Sequence, residues 1–513
     1  MKDLLKYTLI STLFIGAVSC NDLDEEIKGD FTKDFDPANQ GVGIKNNVNK
    51  ASPNDGLSDA FSRLLPGTAT NGGFFQVQEL SSDEVVITQK GGDWFDGGDY
   101  IRMHRHEFSP QTVSINDAWS QAYNGIFQCN DLLDNDGMNA ASIAQLRTLR
   151  AYFYWRLMDL FGNVKIVTSA GGDAPQSQRP QVFNFIESEL LAAIPDLPTA
   201  KAEYGRVNQF AAYALLSRLY LNAHIYTGGA PRYQDAIDAA DEVINSGLYS
   251  LSPEYKDVFA PDNVDNVEHI FVATFDEATG TGMNIAQMTL HYPSQLTFRL
   301  AEQPWNGYAA MEEFYNSYED TDERKANNFI TGPQLDQNGN PVLDLAFDKA
   351  DPDGPPVNYT PFINEMFPNS SRQGGARLGK FSFKVPQNSN MDNDYPLLRY
   401  GEVLLNKAEA VARLNGNNFS DGTTLGLVNE IRERAGVDGF TSMTEGQMLA
   451  ERGRELFIEA LRRTDLIRFG AWGNAWWEKP AHSDAHKIIF PIPLQQMQAT
   501  ASTANPLTQN TGY

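Results

Sequence analysis

Gly374 and Gly379-Lys380 stand at phosphate-loop spacing, but Phe381 takes the place of the metal-binding Ser/Thr and an alternating, strand-like stretch follows instead of a helix. No nucleotide site is expected there. Asp336-x-Asn338-x-Asn340 begins like a calcium loop, yet Pro341 stands where the turn needs glycine, so Asn338-Gly339 reads as a hairpin turn. His104-x-His106-Glu107 offers metal ligands at strand spacing without a third to complete a site. No nucleophile elbow, zincin helix or glycine fingerprint after a strand occurs, and spacing alone brings no pair of the 66 acidic residues together as a glycosidase dyad. No catalytic residue, metal or cofactor is therefore expected. What remains is aromatic chemistry. Trp94 lies in Gly91-Gly92-Asp93-Trp94-Phe95-Asp96-Gly97-Gly98, where glycines on both sides leave no regular element to bury it. Trp305 lies in Glu302-Gln303-Pro304-Trp305-Asn306-Gly307-Tyr308. The other five tryptophans, Trp119, Trp155, Trp472, Trp476 and Trp477, sit on or beside predicted helices and read as packing residues.

Positioning such loop aromatics requires a scaffold, and the apolar spacing predicts a mainly α one. Trp119, Ile126 and Leu133 stripe a helix over 116–134, and Leu146, Leu149, Phe153, Leu157 and Leu160 stripe another over 143–161 that Gly162 stops. Pro180 opens a third, 207–226 forms a fourth, and 233–245 a fifth. Near the other end, 397–414, 424–435 and 444–469 repeat the pattern. Glu451, Arg452, Glu455, Glu459 and Arg462 fall three or four apart on the last of these and read as an ion-paired helix face. The pairs look like degenerate tetratricopeptide hairpins, too irregular for a strict repeat of about 34 residues. The helical scaffold is expected at about 116–250 and 397–470. Between these blocks, about 53–112 and 260–395 are rich in Gly, Pro, Asn and Asp with a few short strands, the composition of long functional loops. Residues 488–493 and 505–513 read as an extended tail.

The amino end has a charged start, an apolar stretch over 7–18 too short to span a bilayer, and small Ala17 and Ser19 just before Cys20. This predicts a signal peptide over 1–19 and a single domain over 20–513 carrying acyl chains on Cys20, although Ala17 stands where a lipobox usually has leucine. Cys129 is the other cysteine, so an acylated Cys20 leaves no intramolecular disulfide. A net charge of −26 disfavours nucleic acid and polyanionic ligands and suits neutral ones.

Several segments then fall in a recognisable order: Trp119 with Asn130; Leu149-Arg-Ala-Tyr-Phe-Tyr with Leu160-Phe-Gly; Gly205-Arg-Val; Ala211-Ala-Tyr-Ala-Leu-Leu-Ser-Arg-Leu-Tyr-Leu; Arg399-Tyr-Gly-Glu-Val-Leu-Leu-Asn-Lys-Ala-Glu-Ala; Ile431-Arg-Glu-Arg-Ala-Gly; Glu451-Arg-Gly-Arg-Glu-Leu; Arg462-Arg-Thr-Asp-Leu-Ile-Arg; and Phe490-Pro-Ile-Pro. Together they resemble the SusD/RagB family of Bacteroidetes, and Asn21-Asp-Leu-Asp-Glu-Glu behind Cys20 is similar to the surface-export signal of lipoproteins there. The resemblance implies a lipid-anchored cell-surface protein of the outer membrane. It implies capture of oligosaccharides without cleavage and their delivery to a SusC-like TonB-dependent transporter.

A sugar offers apolar C–H faces and hydroxyl edges, so its site wants displayed aromatics beside fixed donors and acceptors. Trp94 and Trp305 are the expected stacking residues, Asn306 and Tyr308 their neighbours, and Asp83 and Arg372 the expected carboxylate and guanidinium. After the acidic pair Asp83-Glu84, the places where the starch-binding prototype has tryptophans hold Ile87 and Gln89, which points away from starch. Two other classes stay open on the residues alone: a surface glycoside hydrolase, and a transporter lid or peptide-handling protein that binds no glycan.

Overall fold

The computed structural model describes residues 56–135, 137–201, 203–278, 282–344 and 354–513. The expected signal segment and the lipidation site Cys20 lie outside the described residues. In chain order the helices used below are α1 (Gly73–Leu80), α2 (Val113–Leu133), α3 (Ala140–Phe161), α4 (Arg179–Ala193), α5 (Gln209–Leu221), α6 (Tyr233–Asn245), α7 (Tyr400–Leu414), α8 (Gly422–Arg434), α9 (Glu445–Leu456) and α10 (Arg462–Arg468). Among the strands are β1 (Val85–Ile87), β2 (His269–Ala273), β3 (Tyr308–Ala310), β4 (Arg377–Leu378) and β5 (Tyr395–Arg399).

Local chemistry explains most helix ends. The Asn139 side chain accepts from the Ser142 N–H to open α3, Asn208 does the same for α5, and Thr444 with Gln447 forms a reciprocal cap on α9. Gly162 ends α3 with φ +67°, a conformation that costs glycine nothing. α3 is buried almost all round over its last fourteen residues, because α2 and α4 pack on either side of it. α5 packs on α6, α6 on α7 and α7 on α8, so the helices form a mainly α scaffold of successive hairpins. The strands pair two at a time: β1 with β3 and β2 with β5, both antiparallel. Asp336 accepts from the backbone of Asn338 and Asn340, and Gly339 has φ +82°, so this segment is a turn.

Three boundaries differ from the sequence reading. The expected helix over 207–226 stops at Leu221, and a separate short helix takes Ala223–Thr227. Leu397 to Arg399 belong to β5, and the helix begins only at Tyr400. The expected helix over 444–469 breaks between α9 and α10, where Ile458 and Ala460 have φ +49° and +58°. A β-branched residue there is strained. The cause is tertiary: Glu84 Oε2 accepts from the Ile458 N–H at 3.1 Å, Glu79 Oε1 accepts from the Ala460 N–H at 2.7 Å, and the Tyr395 hydroxyl donates to the Ile458 carbonyl at 3.1 Å. These donors would otherwise continue the helix ladder.

The charged residues around this break are ion-paired, as expected, and buried. Arg399 reaches Glu268 at 3.0 Å, Glu455 at 2.8 Å and Glu459 at 2.7 Å; Arg324 reaches Glu451 at 2.8 Å and Glu455 at 3.0 Å. Lys380, the lysine of the rejected phosphate loop, donates to the Phe457 carbonyl at 2.7 Å and to Glu459 at 2.5 Å. The network clamps the segments around 268, 324 and 380 onto the helical scaffold. Surrounded by arginines, Glu451 and Glu409 are held down to about 2 despite their burial.

Glu79 and Glu84 behave oppositely. Burial pushes Glu79 up to about 7 and Glu84 well above the carboxylate range, and the two carboxyls hydrogen-bond each other. The folded protein therefore keeps protons that the unfolded chain releases near pH 4.5. Glu79's contribution is present below pH 4.5 and is lost as pH rises through about 7. Glu79→Gln, which keeps the Oε1 acceptor, is expected to flatten this part of the profile: urea unfolding at pH 5 and pH 8 should show a smaller loss of stability in the variant than in the natural protein. An equal loss in both would contradict the shared proton.

Candidate functional site

The β1–β3 ribbon organises the loop face. Val85 pairs with Ala310 and Ile87 with Tyr308, so the chain leaving β1 toward Trp94 lies beside the chain entering β3 from Trp305. A cleft of about 620 Å³ opens at this end, lined by Asn71, Asp93, Trp94, Tyr100, Tyr292 and Trp305 among others.

Three successive N–H groups fix the Trp305 segment: Trp305 donates to the Gln287 carbonyl at 2.7 Å, Asn306 to Leu290 at 2.9 Å and Gly307 to Met288 at 2.8 Å. Asn306 takes φ +58° in doing so. Across the cleft, Gly91 N–H donates to the Pro368 carbonyl at 2.9 Å, and the loop turns through Trp94 with φ +62°. For a bulky aromatic that conformation costs about 1–3 kcal/mol, so the surroundings must over-determine it. They do: the Trp94 indole N–H donates to the Trp305 carbonyl at 2.5 Å, and its ring meets Tyr100 at 5.4 Å between centroids. The six-membered ring lies against Gly307, where an added Cβ would come within 2.5 Å of Cζ2. Trp94 is half-buried, whereas Trp305 is 38% exposed and Phe95 49% exposed.

Polar groups flank these rings. The Tyr292 hydroxyl donates to Asp93 Oδ2, and the Arg372 guanidinium stands 3.9 Å from the same oxygen. Burial, then the bond to Asp93, raises the Tyr292 phenol, so it stays a donor at neutral pH. Beneath them Arg377, fully buried, donates to Asn306 Oδ1 at 2.9 Å and to the backbone carbonyls of Arg372 at 2.6 Å and Gly374 at 2.7 Å. One side chain thus ties the Arg372 loop to the Trp305 segment. Lys90 is buried behind the cleft, donating to the Thr88 carbonyl at 3.1 Å, and burial pushes its amine well below the usual lysine range.

Of the residues expected at this site, the structure brings Trp94, Trp305 and Arg372 together. Three others are placed elsewhere. Asn306 is fully buried with its oxygen on Arg377, and Tyr308 is fully buried on β3 with its hydroxyl on Asn71 at 3.3 Å; both support the cleft from behind. Asp83 precedes β1 and sits at the ribbon's far end, gripped by Arg462 at 2.6 and 2.8 Å in a separate cleft. The lining residues that sequence reasoning missed include Asp93, Asn71, Phe95, Tyr100, Tyr292 and Gln303. Asp93 was signalled by its place in the glycine-flanked loop; Tyr292 carried no local signal. His104 and His106 are not at strand spacing: His104 ends a helix and bonds the Trp477 carbonyl at 2.8 Å, while His106 lies between Ser483 and Ser81 and stacks on Trp472 at 3.7 Å. Among the described residues no group of three or more His, Cys, Asp or Glu could hold a metal ion. A larger cleft of about 760 Å³ between 105–107 and 478–487 is lined mainly by charged and polar residues, among them the Arg105–Glu478 pair at 2.6 Å, and displays no aromatic platform.

Because Gly307 leaves room for the Trp94 ring and stands against the Met288 carbonyl, Gly307→Ala is expected to displace the indole, weaken ligand binding about tenfold and lower the melting temperature. Tryptophan fluorescence and near-ultraviolet circular dichroism would register the displacement; unchanged spectra and binding would contradict it.

Comparison with known proteins gives a consistent picture. Residues 267–513 match the profile described as SusD family, and residues 76–221 match the one described as starch-binding associating with outer membrane. The starch-binding protein SusD of Bacteroides thetaiotaomicron is 26% identical, over 100% of this chain and 99% of its own length. The SusD-like protein P25 of Formosa agariphila is 24% identical over 79% of this chain and 81% of its own. Among solved structures, a laminarin binding SusD-like protein superimposes with a TM-score of 0.69 at 22% identity, covering 89% of this chain and 98% of that one. The surface glycan-binding protein A from Bacteroides thetaiotaomicron, in complex with laminarihexaose, does so with a TM-score of 0.67 at 22% identity and the same coverage.

Proposed function

This chain belongs to the SusD family, and from that premise we propose that it captures neutral oligosaccharides on the Trp94–Trp305 platform, uncleaved, and passes them to a SusC-like TonB-dependent transporter of the outer membrane. The observation that carries the reading is the indole of Trp94 locked at 2.5 Å onto the carbonyl of Trp305, which holds both aromatics in place before any ligand arrives. A preformed platform loses little entropy on binding, so the stacking energy goes into affinity. Asp93, Tyr292 and Arg372 stand where ring hydroxyls would emerge, giving acceptors and donors along one edge. The acidic surface favours a neutral chain over a polyanionic one.

The relatives named for starch and for laminarin support a neutral glucan as the ligand class. Membership of an outer-membrane-associated family accords with acylation of Cys20 and display on the cell surface, where no membrane-spanning helix is needed; among the described residues none is long and apolar enough to cross a bilayer. The test is affinity electrophoresis in gels containing laminarin, starch, xylan or mannan, followed by chromatography of the glycan. Retardation with the glycan intact is expected. Release of shorter oligosaccharides would instead place the protein among the hydrolases. Co-purification of a TonB-dependent transporter with the membrane-extracted protein would test the delivery step.

A further inference from the structure

We propose a second carbohydrate subsite at the far end of the β1–β3 ribbon, in the cleft of about 320 Å³ lined by Asp83, Phe314, Arg462, Trp476 and Trp477. It shares the ligand class of the proposed function and none of the residues of the Trp94 cleft. The floor is apolar: Phe314 and Met311 are buried there. Trp476 and Trp477, both half-buried, form a wall. A rigid turn presents them. Trp476 and Lys479 exchange backbone hydrogen bonds at 3.0 Å each way, the Lys479 amine covers one face of the Trp476 ring at 4.2 Å and donates to the Asn474 carbonyl at 2.5 Å, and the Trp477 carbonyl is bonded to His104 at 2.8 Å. The Trp476 indole N–H is buried without an acceptor.

In the same cleft Asp83 keeps 30% of its side chain exposed while Arg462 grips both its oxygens, at 2.6 and 2.8 Å. A carboxylate oriented in this way still has lone pairs to accept from hydroxyls. Glu313 adds a second, exposed carboxylate, and the one arginine is already paired, so the cleft selects against anions. Aromatic wall, apolar floor and fixed acceptor together describe a site for an uncharged polyhydroxylated ring, and the volume suits one or two pyranose units. Its position gives it a use: Trp305 and Met311 are six residues apart along one chain, at most about 22 Å, so the ribbon carries an aromatic cleft at each end.

The test is crystal soaking of the chain from Asn21 with glucose, xylose, mannose and laminaribiose, paired with calorimetry on three variants. The expected result is a sugar ring against Trp477 with a hydroxyl on Asp83. Trp477→Ala should weaken this site about tenfold, and Ala450→Gln, which adds a side chain into the same cleft from α9 without breaking an ion pair, should do likewise. Trp94→Ala should leave it intact. A cleft empty in every soak, or sugar binding indifferent to Ala450→Gln, would overturn the proposal. A sugar at Trp477 with the Trp94 cleft vacant would uphold it while refuting the platform reading.

Discussion

Trp94→Ala is expected to weaken oligosaccharide binding by about 30- to 1000-fold, the loss of about 2–4 kcal/mol that a central aromatic anchor commonly carries. Its effect should exceed that of Trp305→Ala for a structural reason. Removing Trp94 takes away a stacking surface and also the indole N–H that holds the Trp305 carbonyl, the contact with Tyr100 and the cover over Gly307. Removing Trp305 leaves its carbonyl, and hence the Trp94 hydrogen bond, in place. Neither change touches the buried charge network, so melting temperatures should stay close to that of the natural protein. The ratio of dissociation constants for the two variants checks the ordering; a larger loss in Trp305→Ala would show that the exposed ring, not the locked one, dominates.

The largest stability effect is expected at Arg399. Its guanidinium joins Glu268 before β2, Glu455 on α9 and Glu459 in the strained break, and it is 1% exposed. Arg399→Ala would leave three carboxylates facing one another with only Arg434, Arg324 and Lys380 to offset them. Breaking a buried pair from one side costs about 3–5 kcal/mol, because the partner charge stays behind desolvated. Arg399→Lys should recover only part of this, since an ammonium cannot reproduce the fork that meets Glu455 and Glu459 together. Urea unfolding midpoints would report both. A loss below about 1 kcal/mol for Arg399→Ala would mean that the network is redundant.

The pattern of agreement between sequence and structure has a physical logic. Apolar residues recurring at three and four located α2, α3, α4 and α6 to within a few residues, since their burial follows local periodicity. The 444–469 stretch keeps that periodicity, yet Glu79 and Glu84, more than 370 residues away, capture the N–H groups of Ile458 and Ala460. No local pattern encodes such a competitor. Trp94 and Trp305 were legible because glycine and proline neighbours exclude a burying element. Tyr308 was not, because a three-residue strand is too short to show which of its faces is covered. Asp83 stands only eleven residues before Trp94, but β1 lies between them and carries the two to opposite ends of the ribbon. Trp476 and Trp477, read as packing residues beside a helix, do pack against the core, and they do so from a half-buried turn that also lines the second cleft. Tyr292 and Arg372 meet at Asp93 from segments about 80 residues apart, and only the fold brings them there.

Isothermal titration calorimetry of the chain starting at Asn21 against laminarin, starch, xylan and mannan tests the central claim most directly. Saturable binding of at least one of these glycans, strongly reduced in Trp94→Ala, is the predicted result. Absence of binding to all four, or binding of equal strength in the variant, would contradict glycan capture on the Trp94–Trp305 platform.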